Sequence, residues 1–98
     1  MSDGQFPPDV RLEASPDVIV QHTGEEMIVV HLGTSCVYDL NRTSTRLWEM
    51  LTEGRPRHEA EAELLREFAV DAEALAREVD ATLAHLTEQD LLRVRSGD

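Results

Sequence analysis

The sequence predicts an α+β domain of winged-helix-like arrangement, a three-stranded antiparallel meander followed by three α-helices. Three observations carry that expectation. Between Val18 and Leu40, β-branched runs alternate with other residues and are broken by Gly24-Glu25 and Gly33-Thr34. From residue 44 onward the apolar period shifts to that of a helix. A length of 98 residues admits one core and leaves no room for a second.

Residues 1–15 read as a flexible N-terminal arm containing Pro7-Pro8, in which Val10 to Ala14 is a short extended piece. Ser15-Pro16-Asp17 is a turn signal before the first clear strand. A glycine opening a two-residue connection suits a type II′ hairpin, because that position needs a positive φ. With two such turns the register follows: Thr23 faces Glu26, Val20 faces Val29, Val30 faces Val37 and Val29 faces Tyr38. Side chains alternate between faces. One face then carries Val18, Val20, His22, Met27, Val29, His31, Cys36, Tyr38 and Leu40, and is the better core candidate. The other holds Ile19, Ile28, Val30 and Val37 among polar residues, more apolar than a solvated face requires.

The first helix is expected over Ser44 to Glu53, ended by Gly54. Pro56 suits the first turn of a second helix over Arg57 to Glu67. Asp71 is an N-cap for a third, Ala72 to Gln89, on which Leu75, Val79, Leu83 and Leu86 form a sustained apolar stripe. Leu91, Leu92 and Val94 form a tail that folds back on the core.

Charge narrows the function. Twenty acidic and nine basic residues, every basic one an arginine, give a net charge of −11. Phosphate binding needs clustered cations, so nucleic acid is not the expected partner. No apolar run approaches a membrane span, no secretion signal opens the chain, and the single Cys36 cannot form an internal disulfide; the expected location is cytoplasmic. The four histidines, His22, His31, His58 and His85, lack the patterned spacing of metal ligands, so no metal and no cofactor is expected. Cys36 opposite His31 would make a Cys/His contact, but a lone cysteine on an apolar face acts as a small hydrophobe. Phosphate-loop and nucleophile-elbow motifs are absent, so the chain reads as a binding module and not an enzyme. The third strand is an edge of the meander, and an edge accepts an added strand.

Particular residues then carry a family resemblance. Pro16-Asp17-Val18-Ile19-Val20, Gly24-Glu25-Glu26, Tyr38-Asp39-Leu40-Asn41-Arg42-Thr43, Leu47-Trp48-Glu49-Met50-Leu51 and Glu53-Gly54 occur in order. A helix with Val79, Leu83 and Leu86 then leads into Leu91-Leu92. Over residues 16–94 this pattern resembles the PqqD-like family of recognition elements for ribosomally synthesised, modified peptides, such as those of pyrroloquinoline quinone and lasso-peptide pathways. The resemblance implies a non-catalytic module that holds a precursor's leader peptide as an extra strand and presents it to a modifying enzyme or leader peptidase of the same pathway. It places the leader against Cys36, Val37, Tyr38, Asp39 and Leu40, with Leu75, Ala76, Val79, Asp80 and Leu83 of the third helix reaching the cleft. Many relatives carry glycine where this chain has Ser44, and again near Gln89 or Asp90. The expected organisation is an arm at 1–15, the peptide-binding domain at 16–94 and a tail at 95–98. The alternative is an adaptor of the same fold that binds a folded protein or, less in keeping with the charge, nucleic acid.

Overall fold

Alternation between Val18 and Leu40 folds as the register requires. In the computed structural model, which describes residues 6–95, the elements run β1 (Leu12–Ala14), β2 (Val18–Thr23), β3 (Glu26–His31), β4 (Cys36–Leu40), α1 (Arg42–Thr52), α2 (Arg57–Glu67), α3 (Ala72–Glu88) and β5 (Leu92–Val94). Strands β2, β3 and β4 form an antiparallel sheet in that order, with Thr23 opposite Glu26, Val30 opposite Val37 and His31 opposite Cys36. Gly24 takes φ 75°, the positive value that the first position of a tight hairpin demands.

The β3–β4 connection departs from the expected two-residue turn. Pairing stops at His31 and Cys36, and Leu32 to Ser35 form a four-residue loop in which the Ser35 N–H donates to the His31 carbonyl at 2.8 Å. Register survives because the loop is longer by one residue on each strand.

Met27, Val29 and Leu40 of the expected inner face are buried beneath the helices, while Ile19 and Val37 on the outer face are 53% and 62% exposed. Each helix contributes its apolar stripe to the core: Leu47, Met50 and Leu51 from α1, Ala60 and Leu64 from α2, and Leu75, Val79, Leu83 and Leu86 from α3. Helix α1 starts earlier than expected, at Arg42, because the Asn41 side chain caps it by accepting the Ser44 N–H. Asp71 caps α3 as expected, accepting from the N–H groups of Glu73 and Ala74.

The expected flexible arm differs from what residues 6–15 do. Phe6, Val10 and Leu12 are core residues, and β1 pairs antiparallel with β5. Burying three large apolar side chains and pairing both strands outweighs the chain entropy that favours a free arm. Residues 1–5 of that arm lie outside the described residues, as do residues 96–98 of the expected tail, whereas Arg95 donates its N–H to the Arg11 carbonyl. Among the described residues no helix is long and apolar enough to cross a membrane.

Candidate functional site, the open edge of β4

The ladder determines which backbone groups of β4 are free. Leu32 N–H donates to the Asp17 carbonyl at 2.8 Å, continuing the β2–β3 register by one step. Bonded and non-bonded pairs alternate along an antiparallel ladder. Ile28 and Val30 therefore turn their backbone groups to β2, and Met27, Val29 and His31 turn theirs to β4. Through the same register Cys36, Tyr38 and Leu40 bond inward to β3, while Val37 and Asp39 point their N–H and C=O groups outward. Among the described residues no strand pairs with that side of β4, so these two residues leave the free backbone groups typical of a sheet edge.

Tyr38 links this edge to α3. Its hydroxyl donates to Gln89 Oε1 at 2.9 Å, and its ring meets His85 edge-on with centroids 6.1 Å apart. Burial, and secondarily Cys36, raises the phenol above its ordinary pKa. Residues three, four and seven positions before His85 lie on the same helical flank, so Thr82, Ala81 and Glu78 continue this wall. Ala81, exposed on this flank, carries the smallest side chain of the three.

The helix residues expected at the cleft are placed elsewhere. Leu75, Val79 and Leu83 are core residues, each no more than 2% exposed. Ala76 and Asp80 lie on the flank that faces α2: Arg57 Nη1 donates to Asp80 Oδ1 at 2.6 Å and Arg57 Nη2 to the Ala76 carbonyl at 3.1 Å. The structure thus brings together Cys36 to Leu40 with His85 and Gln89. The aromatic Tyr38 opposite a polar helix end was the available signal for those two.

Other clusters among the described residues are engaged in internal contacts. Asp17, His31 and Asp90 place ligand atoms within 4.8 Å of one another. However, His31 Nδ1 accepts the N–H groups of Gly33 and Thr34 at 3.1 and 3.2 Å, which leaves Nε2 carrying the proton donated to Asp90 Oδ2 at 3.0 Å. A metal would have to displace that proton or break the loop contacts. Ser15, His31 and Asp90 have the composition of a hydrolytic triad without its order, since Ser15 Oγ donates to the carboxylate at 3.3 Å. The expected Cys36–His31 contact supplies no base either: the ring nitrogens are both engaged, and Cys36 Sγ turns to the Thr34 carbonyl at 3.7 Å. His22 and His58 have unrelated partners, Glu49 and the Pro8 carbonyl. A surface cavity beside the β2–β3 turn is lined by Arg42, Arg46, Glu25, Glu49, Glu67 and Phe68. Its arginines are already paired, Arg42 with Glu25 and Arg46 with Glu67.

Arg93 first, then His31 and Ser15, hold the Asp90 carboxyl well below the usual carboxylate range. A depressed folded pKa contributes stability that is present above the unfolded value of about 3.9 and is lost as pH falls through the folded value. Urea unfolding of the protein and of Asp90→Gly is therefore expected to show a stability gap that is constant at neutral pH and narrows steadily below about pH 4. A gap unchanged to pH 2 would remove the carboxylate from the account.

Comparison with known proteins adds three findings. The sequence matches the family model for coenzyme PQQ synthesis protein D (PqqD) over residues 26–92. The structure of TbiB1 in complex with the TbiA(beta) leader peptide matches with a TM-score of 0.79 at 26% identity, covering 87% of this chain and 99% of that one. A lasso peptide synthetase B1 complexed with its leader peptide matches with a TM-score of 0.78, covering 85% and 98%; at 19% identity it attests the fold alone. No curated protein sequence matches.

Proposed function

From the premise that this chain belongs to the PqqD family, we propose that it is a non-catalytic module that binds the leader of a ribosomally made precursor by strand addition to β4 and presents it to a separate modifying enzyme or leader peptidase. The observation that carries the reading is the open edge itself, with Val37 and Asp39 offering outward backbone groups beside the Tyr38–His85 contact. Two residues present two donors and two acceptors. Such bonds contribute about 0.5–1.5 kcal/mol each, and ordering a disordered leader costs about 2–5 kcal/mol. Backbone pairing alone therefore sets direction and register with little net affinity. Micromolar binding, about −8 kcal/mol, requires apolar anchors at roughly 1.5–3 kcal/mol apiece, seated between β4 and the Ala81–His85 flank of α3.

A second reading, contact with a folded protein, is favoured by the row Ile19, Val30 and Val37, which are direct cross-strand neighbours on the outer sheet face. This face adjoins the leader edge, so it would serve the same delivery step by meeting the enzyme.

The test is amide chemical-shift mapping with a synthetic leader peptide, its sequence taken from a short precursor reading frame sought beside the gene for this chain. Shifts should cluster on residues 36–40 and on the Ala81–His85–Gln89 flank. A cluster on Val18–Thr23 would overturn the assignment of the edge. Cys36→Ser should bind the peptide within about twofold of the parent, because the thiol hydrogen bonds only weakly and is exposed. Loss of binding in a folded Cys36→Ser protein would reopen a thiol role.

A further inference from the structure

We propose that His31 is a positioning residue, which sets the spacing between β4 and α3 by tying the loop that enters β4 to the C-terminal turn of α3 through Asp90; its consequence for affinity rests on the leader-binding reading above. The two walls of the groove belong to different elements. Hydrogen bonds of the ladder hold β4 to β3, but α3 meets the sheet through side chains. Two such links lie at adjacent helix-end residues, Tyr38 to Gln89 at 2.9 Å and His31 to Asp90 at 3.0 Å. Tyr38 is part of the edge that would meet the peptide. His31, only 4% exposed, lies beneath it and cannot touch the leader.

Each side of the imidazole is held. On one side Nδ1 accepts the Gly33 and Thr34 N–H groups, and the His31 carbonyl accepts from Ser35, so ring and main chain together fix the loop before Cys36. Gly33 packs closely against the ring: a Cβ there would stand 3.0 Å from His31 Cε1, so the imidazole would have to shift by a few tenths of an ångström. On the other side Asp90 is equally constrained. Its N–H donates to Thr87 and the Leu91 N–H to Leu86, closing the end of α3 with Asp90 at φ 60°. Glycine adopts that conformation without the steric cost an aspartate bears. The aspartate side chain uses the position: it also accepts from Ser15 and from Arg93 Nε and Nη2. A rigid ring held at both sides transmits position from the β3–β4 loop to the end of α3.

Two near-isosteric variants separate the arms of the ring. In His31→Gln the side-chain amide nitrogen occupies the place of Nε2 and keeps the bond to Asp90, while the loop acceptor is lost. In His31→Asn the side-chain oxygen occupies the place of Nδ1 and keeps the loop, while the link to α3 is lost. Asp90→Gly cuts the same link from the helix side and suits the positive φ. Affinity for the synthetic leader peptide is read by calorimetry, and urea unfolding reports stability. Wall spacing in the free protein is read by pulsed electron resonance between spin labels on Cys36 and on Arg77→Cys, both exposed.

The parent and His31→Gln should share a narrow distance distribution and bind within about twofold of each other, because the His31 main chain still pairs with Cys36 of β4 when the ring's loop contacts are gone. His31→Asn and Asp90→Gly should broaden it and bind about tenfold more weakly or worse. An unbroadened distribution in His31→Asn overturns the proposal. So does an affinity that follows stability across all three variants, which is what a merely structural role predicts. Failure of the parent to bind the peptide would instead sink the leader reading, and the spacing measurement would still judge the link.

Discussion

Val37→Pro is expected to weaken leader binding by about 10- to 100-fold while the domain stays folded, the largest functional effect any single residue here should give. Proline deletes one outward donor and puts its ring where an incoming strand must lie. Because the Val37 N–H faces away from β3, no ladder bond is lost, and an edge strand tolerates proline on its solvent side. Asp39→Pro should behave alike, since its N–H faces the same way. Tyr38→Pro is the contrasting control. Tyr38 bonds inward to Val29, so that change should break the sheet as well as the binding. Calorimetry with the leader peptide, alongside circular dichroism and urea unfolding, separates these outcomes. Full affinity in a folded Val37→Pro protein would rule out strand addition at β4.

Arg57→Ala is expected to give the largest loss of stability outside the apolar core, about 2–4 kcal/mol, or a fall in Tm of roughly 10–25 °C for a domain of this size. The Arg57 side chain is 8% exposed and its donors are distributed over four acceptors. Nε donates to Glu61 at 2.6 Å, Nη1 to Asp80 at 2.6 Å and to the Phe6 carbonyl at 2.7 Å, and Nη2 to the Ala76 carbonyl at 3.1 Å. Burial opposes the charged guanidinium, but the two carboxylates prevail and its pKa is raised. Removing it strands the Phe6 carbonyl and loosens the N-terminal segment from α2 and α3. Asp80→Ala should cost far less, about 1 kcal/mol, because the Asp80 side chain is half exposed and Glu61 remains. Thermal unfolding of the two variants checks the order. Equal losses would mean that the ion pair, and not the buried guanidinium, is the stabilising unit. Neither variant should alter leader affinity in the folded state, since this flank of α3 faces α2.

How far the sequence reached is clearest on α3. Its stripe of Leu75, Val79, Leu83 and Leu86 was legible because apolar side chains at helical spacing must face a core. Which polar flank looks toward β4 was not legible, because periodicity specifies a buried side and is silent about what stands to its left and right. Asp80, expected at the cleft, sits in the Arg57 cage, and His85 and Gln89 take the place facing Tyr38.

By itself the sequence determined the three helices, the β2–β3–β4 meander with its register, and the edge position of β4, for these follow from period, turn chemistry and capping over a few residues. Tertiary structure alone decided what lies far apart in the chain. Phe6, Val10 and Leu12 join the core, Leu12–Ala14 pair with β5, and His31 meets Asp90 across 59 positions. Those contacts depend on how three helices pack on one small sheet, and their partners carry no local pattern. Individually weak hydrogen bonds and buried side chains become specific there only once the fold has brought both ends together.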